Sequence, residues 1–286
     1  MAVSSAAKSG LSTFAKFQKT SVGNPNAANA LFVMGGAYVN STGYSTSTDG
    51  VTWTLRSNNG MGSSNGVTKI GSYYVSCNSG GYLAHILDPV SGTSIYNSSV
   101  YLGNIGVNNT FRQAVYQNNM WSWWGDYGWG MNNTVLPNAS NINVTGVAYG
   151  NGVWVIIRGT TIYSQSSQPD FPAGATYTSR TSPVTSPTTI QFANGLFVVG
   201  GSNGICTSTD GVTWTLQSSA VSADYSLGRI LYAGGLWFAV RNTGSSTLYT
   251  SPDGVTWTSR SPVFTSSVLI AAAYGNGVYT VMSNTG

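Results

Sequence analysis

Glutamate is absent from this 286-residue chain, so all acidic chemistry rests on seven aspartates. Charged residues make up 6% of the sequence, where about 25% is usual in soluble domains. Glycoside hydrolysis needs two carboxyl groups at roughly 5 Å or 6.5–9.5 Å. Only Asp88, Asp126, Asp170 and Asp224 lie outside repeated motifs, and no pair among them is indicated. Asp88 precedes Pro89 and Asp170 follows Pro169, a pattern of turn chemistry. Histidine is almost as scarce: His85 stands alone in Tyr82-Leu83-Ala84-His85-Ile86 and reads as a hydrogen-bonded strand residue. With two isolated cysteines, Cys77 and Cys206, no metal-ligand spacing exists, and both read as small buried hydrophobes. No phosphate loop, nucleophile elbow or Ser-His-Asp set is present. The expectation is a protein without catalytic residues, metal or cofactor.

Long apolar runs are missing too. No stretch approaches the roughly 20 apolar residues of a membrane helix, so no membrane insertion is expected. Met1 to Lys19 lacks the apolar core of a secretory signal, since Leu11, Phe14 and Phe17 are well separated. The excess of base, a formal +4, forms no obvious track. Lys8, Lys16, Lys19 and Lys69 lie in the first quarter, while Arg56, Arg112, Arg158, Arg180, Arg229, Arg241 and Arg260 are scattered. Nucleic acid is therefore not an expected partner. An acidic protein neighbour or anionic envelope glycan fits better.

What the chain does contain is repetition. Three copies of one signature occur: Ser47-Thr48-Asp49-Gly50-Val51-Thr52-Trp53, Ser208-Thr209-Asp210-Gly211-Val212-Thr213-Trp214 and Ser251-Pro252-Asp253-Gly254-Val255-Thr256-Trp257. Asp-Gly between alternating runs predicts a tight hairpin, because both turn residues can take positive φ. Val and Trp, two apart, are then expected on one strand face. The second and third tryptophans are 43 residues apart, and the first and second 161, close to four periods of 40. That is propeller-blade spacing. Ile95-Tyr96, Val135-Leu136 and Thr176 to Arg180 fill the gap as degenerate outer strands.

A second sub-repeat precedes each signature: Val147 to Val155 around Asn151-Gly152, Phe192 to Val199 around Asn194-Gly195, Tyr232 to Phe238 around Gly234-Gly235, and Tyr274 to Val281 around Asn276-Gly277. Each reads as an inner strand, a two-residue turn and a buried second strand. The last copy has no outer hairpin behind it, and residues 1–20 have the length and alternation to supply one, or else to act as a tether. Fourth strands near Phe17, Trp53, Tyr96, Leu136, Tyr177, Trp214 and Trp257 give seven blades. The expected fold is thus all-β, one domain over 1–286: a seven-bladed β-propeller of four-stranded antiparallel blades closed by its two ends. Six blades with an N-terminal arm is the alternative.

The Ser-x-Asp-Gly-x-Thr-Trp hairpin, with the Tyr-Gly-Asn-Gly-Val strand before it, resembles the repeats of propeller proteins in bacteriophage tails, fibres and capsid decorations, and in exported bacterial proteins. The resemblance implies a non-enzymatic virion structural protein, made in the host cytoplasm. It would pack against other virion proteins or copies of itself, or contact the host surface. The hairpin is also similar to the Asp box of sialidases, one residue shorter. That likeness implies a structural role for Asp49, Trp53, Asp210, Trp214, Asp253 and Trp257. A sialidase-like glycosidase ranks third, because that chemistry wants an arginine triad, a Tyr assisted by Glu and an acid carboxylate, and there is no Glu.

One segment departs from the repeat, Met120-Trp121-Ser122-Trp123-Trp124-Gly125-Asp126-Tyr127-Gly128-Trp129. Sugars stack their C–H faces on aromatic rings while a carboxylate orients hydroxyls. Trp121, Trp123, Trp124, Trp129 and Asp126 are therefore the candidate sugar platform of a second reading, a carbohydrate-binding, lectin-like propeller. The competing reading is that these rings fill the space between blades.

Overall fold

The structure is a computed structural model. It describes residues 3–6, 14–18, 32–35, 43–49, 52–57, 64–70, 73–78, 83–88, 93–95, 111–117, 120–125, 128–131, 134–135, 144–166, 177–217, 227–241, 247–260, 269–275 and 278–283. Side chains are described for 46–49, 52–54, 144–166, 177–217, 227–241, 247–260 and 279.

The described strands form seven antiparallel sheets. β1 (Val3–Ala6) pairs with β2 (Phe14–Gln18). β3 (Phe32–Gly35), β4 (Gly43–Ser47) and β5 (Thr54–Ser57) form a three-stranded sheet. Five four-stranded meanders follow in chain order. They are β6 (Ser64–Ile70), β7 (Tyr73–Asn78), β8 (Leu83–Asp88), β9 (Thr93–Ile95); β10 (Phe111–Gln117), β11 (Met120–Gly125), β12 (Gly128–Met131), β13 (Thr134–Val135); and β14 (Val144–Gly150), β15 (Val153–Arg158), β16 (Thr161–Gln165), β17 (Thr178–Arg180). Then come β18 (Thr189–Ala193), β19 (Leu196–Gly201), β20 (Gly204–Ser208), β21 (Thr215–Gln217); and β22 (Leu227–Ala233), β23 (Leu236–Arg241), β24 (Leu248–Ser251), β25 (Thr258–Arg260). β26 (Leu269–Gly275) and β27 (Val278–Ser283) complete the sheet of the first two strands, in the order β1-β2-β27-β26. Phe17, expected in a fourth strand, therefore lies in the third, because β2 pairs with β27 and β1 is outermost.

The inner hairpins follow the turn chemistry of their sequences. Asn151 and Gly152 have φ of 49° and 79°, Asn194 and Gly195 52° and 74°, Gly234 and Gly235 56° and 80°. Two consecutive residues of positive φ make a turn whose twist matches the strands it joins.

The Asp-Gly signatures behave differently from expectation. β20 ends at Ser208 and β21 begins at Thr215, so the intervening residues form a longer loop rather than a two-residue turn. Gly211 and Gly254 have positive φ, whereas Asp210 and Asp253 do not. Val212 and Val255 are exposed, Trp257 is buried, and Trp214 is half-buried, so Val and Trp do not share a strand face. The cause is the aspartate side chain, which captures backbone N–H groups that a hairpin would have paired across the ladder.

The core lies between neighbouring sheets. Ala148, Val155, Ile157 and Ile162 of one sheet pack with Ile190, Phe197, Val199 and Cys206 of the next. Val198 and Ile205 turn the other way, toward Leu227, Ile230, Trp237, Ala239, Tyr249 and Trp257. Phe238, Val240 and Leu248 continue the series against Tyr279. Strand alternation thus gives each sheet two apolar faces, one per neighbour. Cys206 is fully buried and free, and burial pushes its thiol up to about 12. It is a core residue, as read from sequence. His85 and Cys77 lie in β8 and β7, with side chains outside those described.

Candidate functional site

The repeated aspartates form closed modules. Asp210 Oδ1 accepts the backbone N–H groups of Val212 and Thr213, both at 2.8 Å, and the Ser208 hydroxyl at 2.8 Å. Ser208 Oγ in turn accepts the N–H of Gly211 at 2.8 Å. Asp253 repeats the set with Val255 at 2.9 Å, Thr256 at 2.7 Å and Ser251 at 2.8 Å. Asp49 accepts from Thr52 N–H at 2.7 Å and Ser47 at 2.9 Å. The N–H of Thr213, then that of Val212, holds the Asp210 carboxyl at about 2. For Asp253 local desolvation in the loop pulls upward, but the bonds from Thr256, Val255 and Ser251 prevail and leave it at about 2 as well. Both are carboxylates at any ordinary pH, and neither is poised for proton transfer.

The same loops wedge into the neighbouring sheet. A Cβ on Gly211 would lie 2.8 Å from Val155 Cγ2, and one on Gly254 2.8 Å from Leu196 Cδ2 and 3.2 Å from Val198 Cγ2. The Trp257 indole N–H donates to Gly254 O at 3.0 Å. Asn151, at one inner turn, donates to Gly195 O at 3.1 Å and Thr209 O at 2.8 Å, tying that turn to the next turn and the next aspartate loop. The signature is therefore a joint between sheets.

The candidate sugar platform falls on β11 and β12, and Asp126 lies outside the described residues. Side chains of Trp121, Trp123, Trp124 and Trp129 are not among those described, but the backbone register places each residue. Trp124 pairs with Trp129, so these two share a sheet face; Trp123 pairs with Gly130 and Trp121 with Tyr116. Trp121 is second in its strand, the place held by Trp154, Phe197, Trp237 and Tyr279 in β15, β19, β23 and β27. Those four are 0–2% exposed. The pairing with Tyr116 also repeats. Tyr149 and Trp154, Phe192 and Phe197, and Tyr232 and Trp237 are cross-strand partners with ring centroids 4.8, 4.6 and 4.9 Å apart. Trp123 matches Ile156, Val199 and Ala239, Trp124 matches Ile157 and Val240, and Trp129 matches Ile162, Ile205 and Leu248, all buried. By register, the four tryptophans occupy positions that elsewhere in the chain build the core. Taken along the sequence the cluster is a departure from the repeat; the period-long spacing of second-strand aromatics is the signal that absorbs it.

Charge supplies the feature that residue spacing does not reveal. All seven arginines lie in described strands, and all lie toward the same end of the sheets. Arg158 and Arg241 are the last residues of second strands; Arg180 and Arg260 end fourth strands, and Arg56 is next to last. Arg112 and Arg229 lie near the start of first strands, at the level where those strands meet the ends of their second-strand partners. The described aspartates take the other end. Asp49, Asp210 and Asp253 sit in third-to-fourth-strand loops, and Asp88 closes a third strand. Lys69 lies toward the aspartate end and Lys16 at mid-strand. Arg158 is exposed, Arg180 and Arg260 are half-buried, and Asp49, Asp210 and Asp253 are exposed. Arg180 Nε donates to Ser164 Oγ at 2.7 Å and Arg260 Nε to Thr250 Oγ1 at 2.8 Å. Each bond fixes a side chain while using one of five donors. Among the described residues no group of three metal-ligating side chains occurs.

No protein-family model matches the chain, and no curated protein matches it. Solved structures do. The chain is similar to one in the mitotic checkpoint complex, at 11% identity over 95% of this chain and 91% of that one, with a TM-score of 0.62. It is also similar to YCF48 bound to a peptide, at 13% identity over 91% and 93%, TM-score 0.55. YCF48 from Cyanidioschyzon merolae matches at 13% identity over 84% and 88%, TM-score 0.53. Likeness at this identity speaks to fold alone. With the four-stranded antiparallel sheets it makes the fold an all-β propeller.

Proposed function

We propose that this chain is a non-enzymatic packing module of a bacteriophage particle, on a tail fibre, tip or capsid surface. Its partners are other virion proteins, copies of itself or the host surface. The observation that carries the reading is the use of the repeated carboxylates. Asp210 and Asp253 each spend Oδ1 on three hydrogen bonds within their own loop. The repeated acids of an acid-poor chain are thereby committed to architecture. The low overall charge, 6% of residues, and the viral resemblance of the hairpin support the same reading.

In this reading the seven sheets are seven blades of one closed ring. Support comes from the contacts of successive sheets, which run β3 to β6, β6 to β10, β10 to β14, β14 to β18, β18 to β22, β22 to β26, and back from β26 to β3. The pairing of β2 with β27 brings both chain ends into one blade and removes an open edge.

The alternative is a carbohydrate-binding propeller, favoured by the Trp124–Trp129 register pair. A bacterial-envelope polysaccharide array distinguishes the two. The packing reading predicts no saccharide retained above a propeller control. Retention that is lost in a folded Trp124→Ala variant would replace it with the lectin reading.

A further inference from the structure

The opposed charges at the two ends of the sheets cannot neutralise one another. Strands of five to seven residues, such as β16 and β14, put the ends roughly 15–20 Å apart at about 3.3 Å per residue. The screening length at physiological salt is about 8 Å. Among the described residues, no carboxylate pairs with Arg158, Arg180 or Arg260. Among the described residues each end therefore carries an excess of one sign, and each is the complement of the other.

We propose that copies of this chain stack head to tail, the arginine end of one disc on the aspartate-loop end of the next. The proposal rests on the packing reading and names its partner, a second copy. Position supports it as well as sign. Asp49, Asp210 and Asp253 precede fourth strands, while Arg180 and Arg260 end them, so both sets sit in the outer part of their sheets. Coaxial discs would bring the two sets to matching radii. The loop carboxylates are held at about 2 and stay charged. Two guanidinium groups are steered by the bonds to Ser164 and Thr250. Val212 and Val255, 40% and 42% exposed beside the aspartates, add apolar contact. Such an interface joins two different surfaces and does not close on itself, so it builds linear stacks, the symmetry of a fibre or tube.

Sedimentation velocity of the full chain tests this. At about 0.01 M salt, where screening reaches about 30 Å, the weight-average mass should be at least about twice that of the monomer. At about 1 M, with screening near 3 Å, it should return to the monomer. Arg180→Glu with Arg260→Glu sets acid among the outer arginines, where it faces the aspartates of the next copy, and Val212→Lys with Val255→Lys sets base beside the aspartates, where it faces the arginines. Each variant, with an unchanged melting temperature, should be monomeric alone, and an equimolar mixture should associate again. A mixture that stays monomeric would overturn the stack. So would a wild-type chain that is monomeric at low salt yet held by a sulfated polysaccharide column, which would assign the arginine end to an anionic polymer. Either result leaves packing against a different virion protein standing, so the two readings fail separately.

Discussion

Replacing Gly254 by valine should cost about 3–5 kcal/mol and lower the thermal midpoint by roughly 10 °C. Two effects combine. Gly254 holds φ at +78°, a conformation that costs a β-branched residue about 1–3 kcal/mol. Its missing Cβ is also what lets the aspartate loop reach the neighbouring sheet, with Leu196 Cδ2 2.8 Å and Val198 Cγ2 3.2 Å from where that atom would be. Overpacking of a fitted contact adds about 1–3 kcal/mol. Gly235 supplies the control, since its φ is +80° but nothing lies within 4 Å of where a Cβ would stand. Gly235→Val should show the backbone cost alone. Equal losses in urea unfolding for the two variants would mean that the Gly254 loop does not wedge between sheets.

Trp121→Ala should be as damaging as Trp237→Ala, about 3–5 kcal/mol for each. Trp237 is fully buried against Val198, Ile205 and Leu227 in the core between two sheets. Trp121 stands at the same register position and is paired with an aromatic residue, Tyr116, as Trp237 is with Tyr232. A sugar platform makes the opposite forecast, because an exposed ring contributes to ligand contact and little to folding. Denaturant unfolding of the two alanine variants separates the cases. A loss below about 1 kcal/mol for Trp121→Ala would put its ring outside the core and favour the lectin reading.

Much of the architecture is legible in the sequence because local chemistry and period agree. Asn151-Gly152, Asn194-Gly195 and Gly234-Gly235 give two-residue turns since these residue types tolerate positive φ side by side. The four-strand unit and its outer strands at Thr93–Ile95, Thr134–Val135 and Thr178–Arg180 follow from the spacing of those turns. The Asp-Gly signature misleads at short range. Its aspartate competes with the ladder for backbone N–H groups, and an Asx loop and a hairpin share the same letters. The tryptophan segment reads differently at short and at long range. Read by itself it looks like a platform, whereas read against Trp154, Phe197 and Trp237 each tryptophan holds a register position that is core in the described sheets.

The charge separation is hidden for a different reason. Along the sequence the seven arginines look scattered, because consecutive strands run in opposite directions. An arginine at the end of a second or fourth strand and one at the start of a first strand reach the same side of the sheet only once the strands are paired. Residue spacing alone does not carry that information, and the topology does.

Quantitative mass spectrometry of phage particles, purified on a density gradient from a host lysate in which this chain is produced, tests the central claim most directly. The packing account predicts the chain in the particle band at a fixed ratio to the major structural subunit. Finding it only in the soluble fraction, absent from intact particles, would contradict that account.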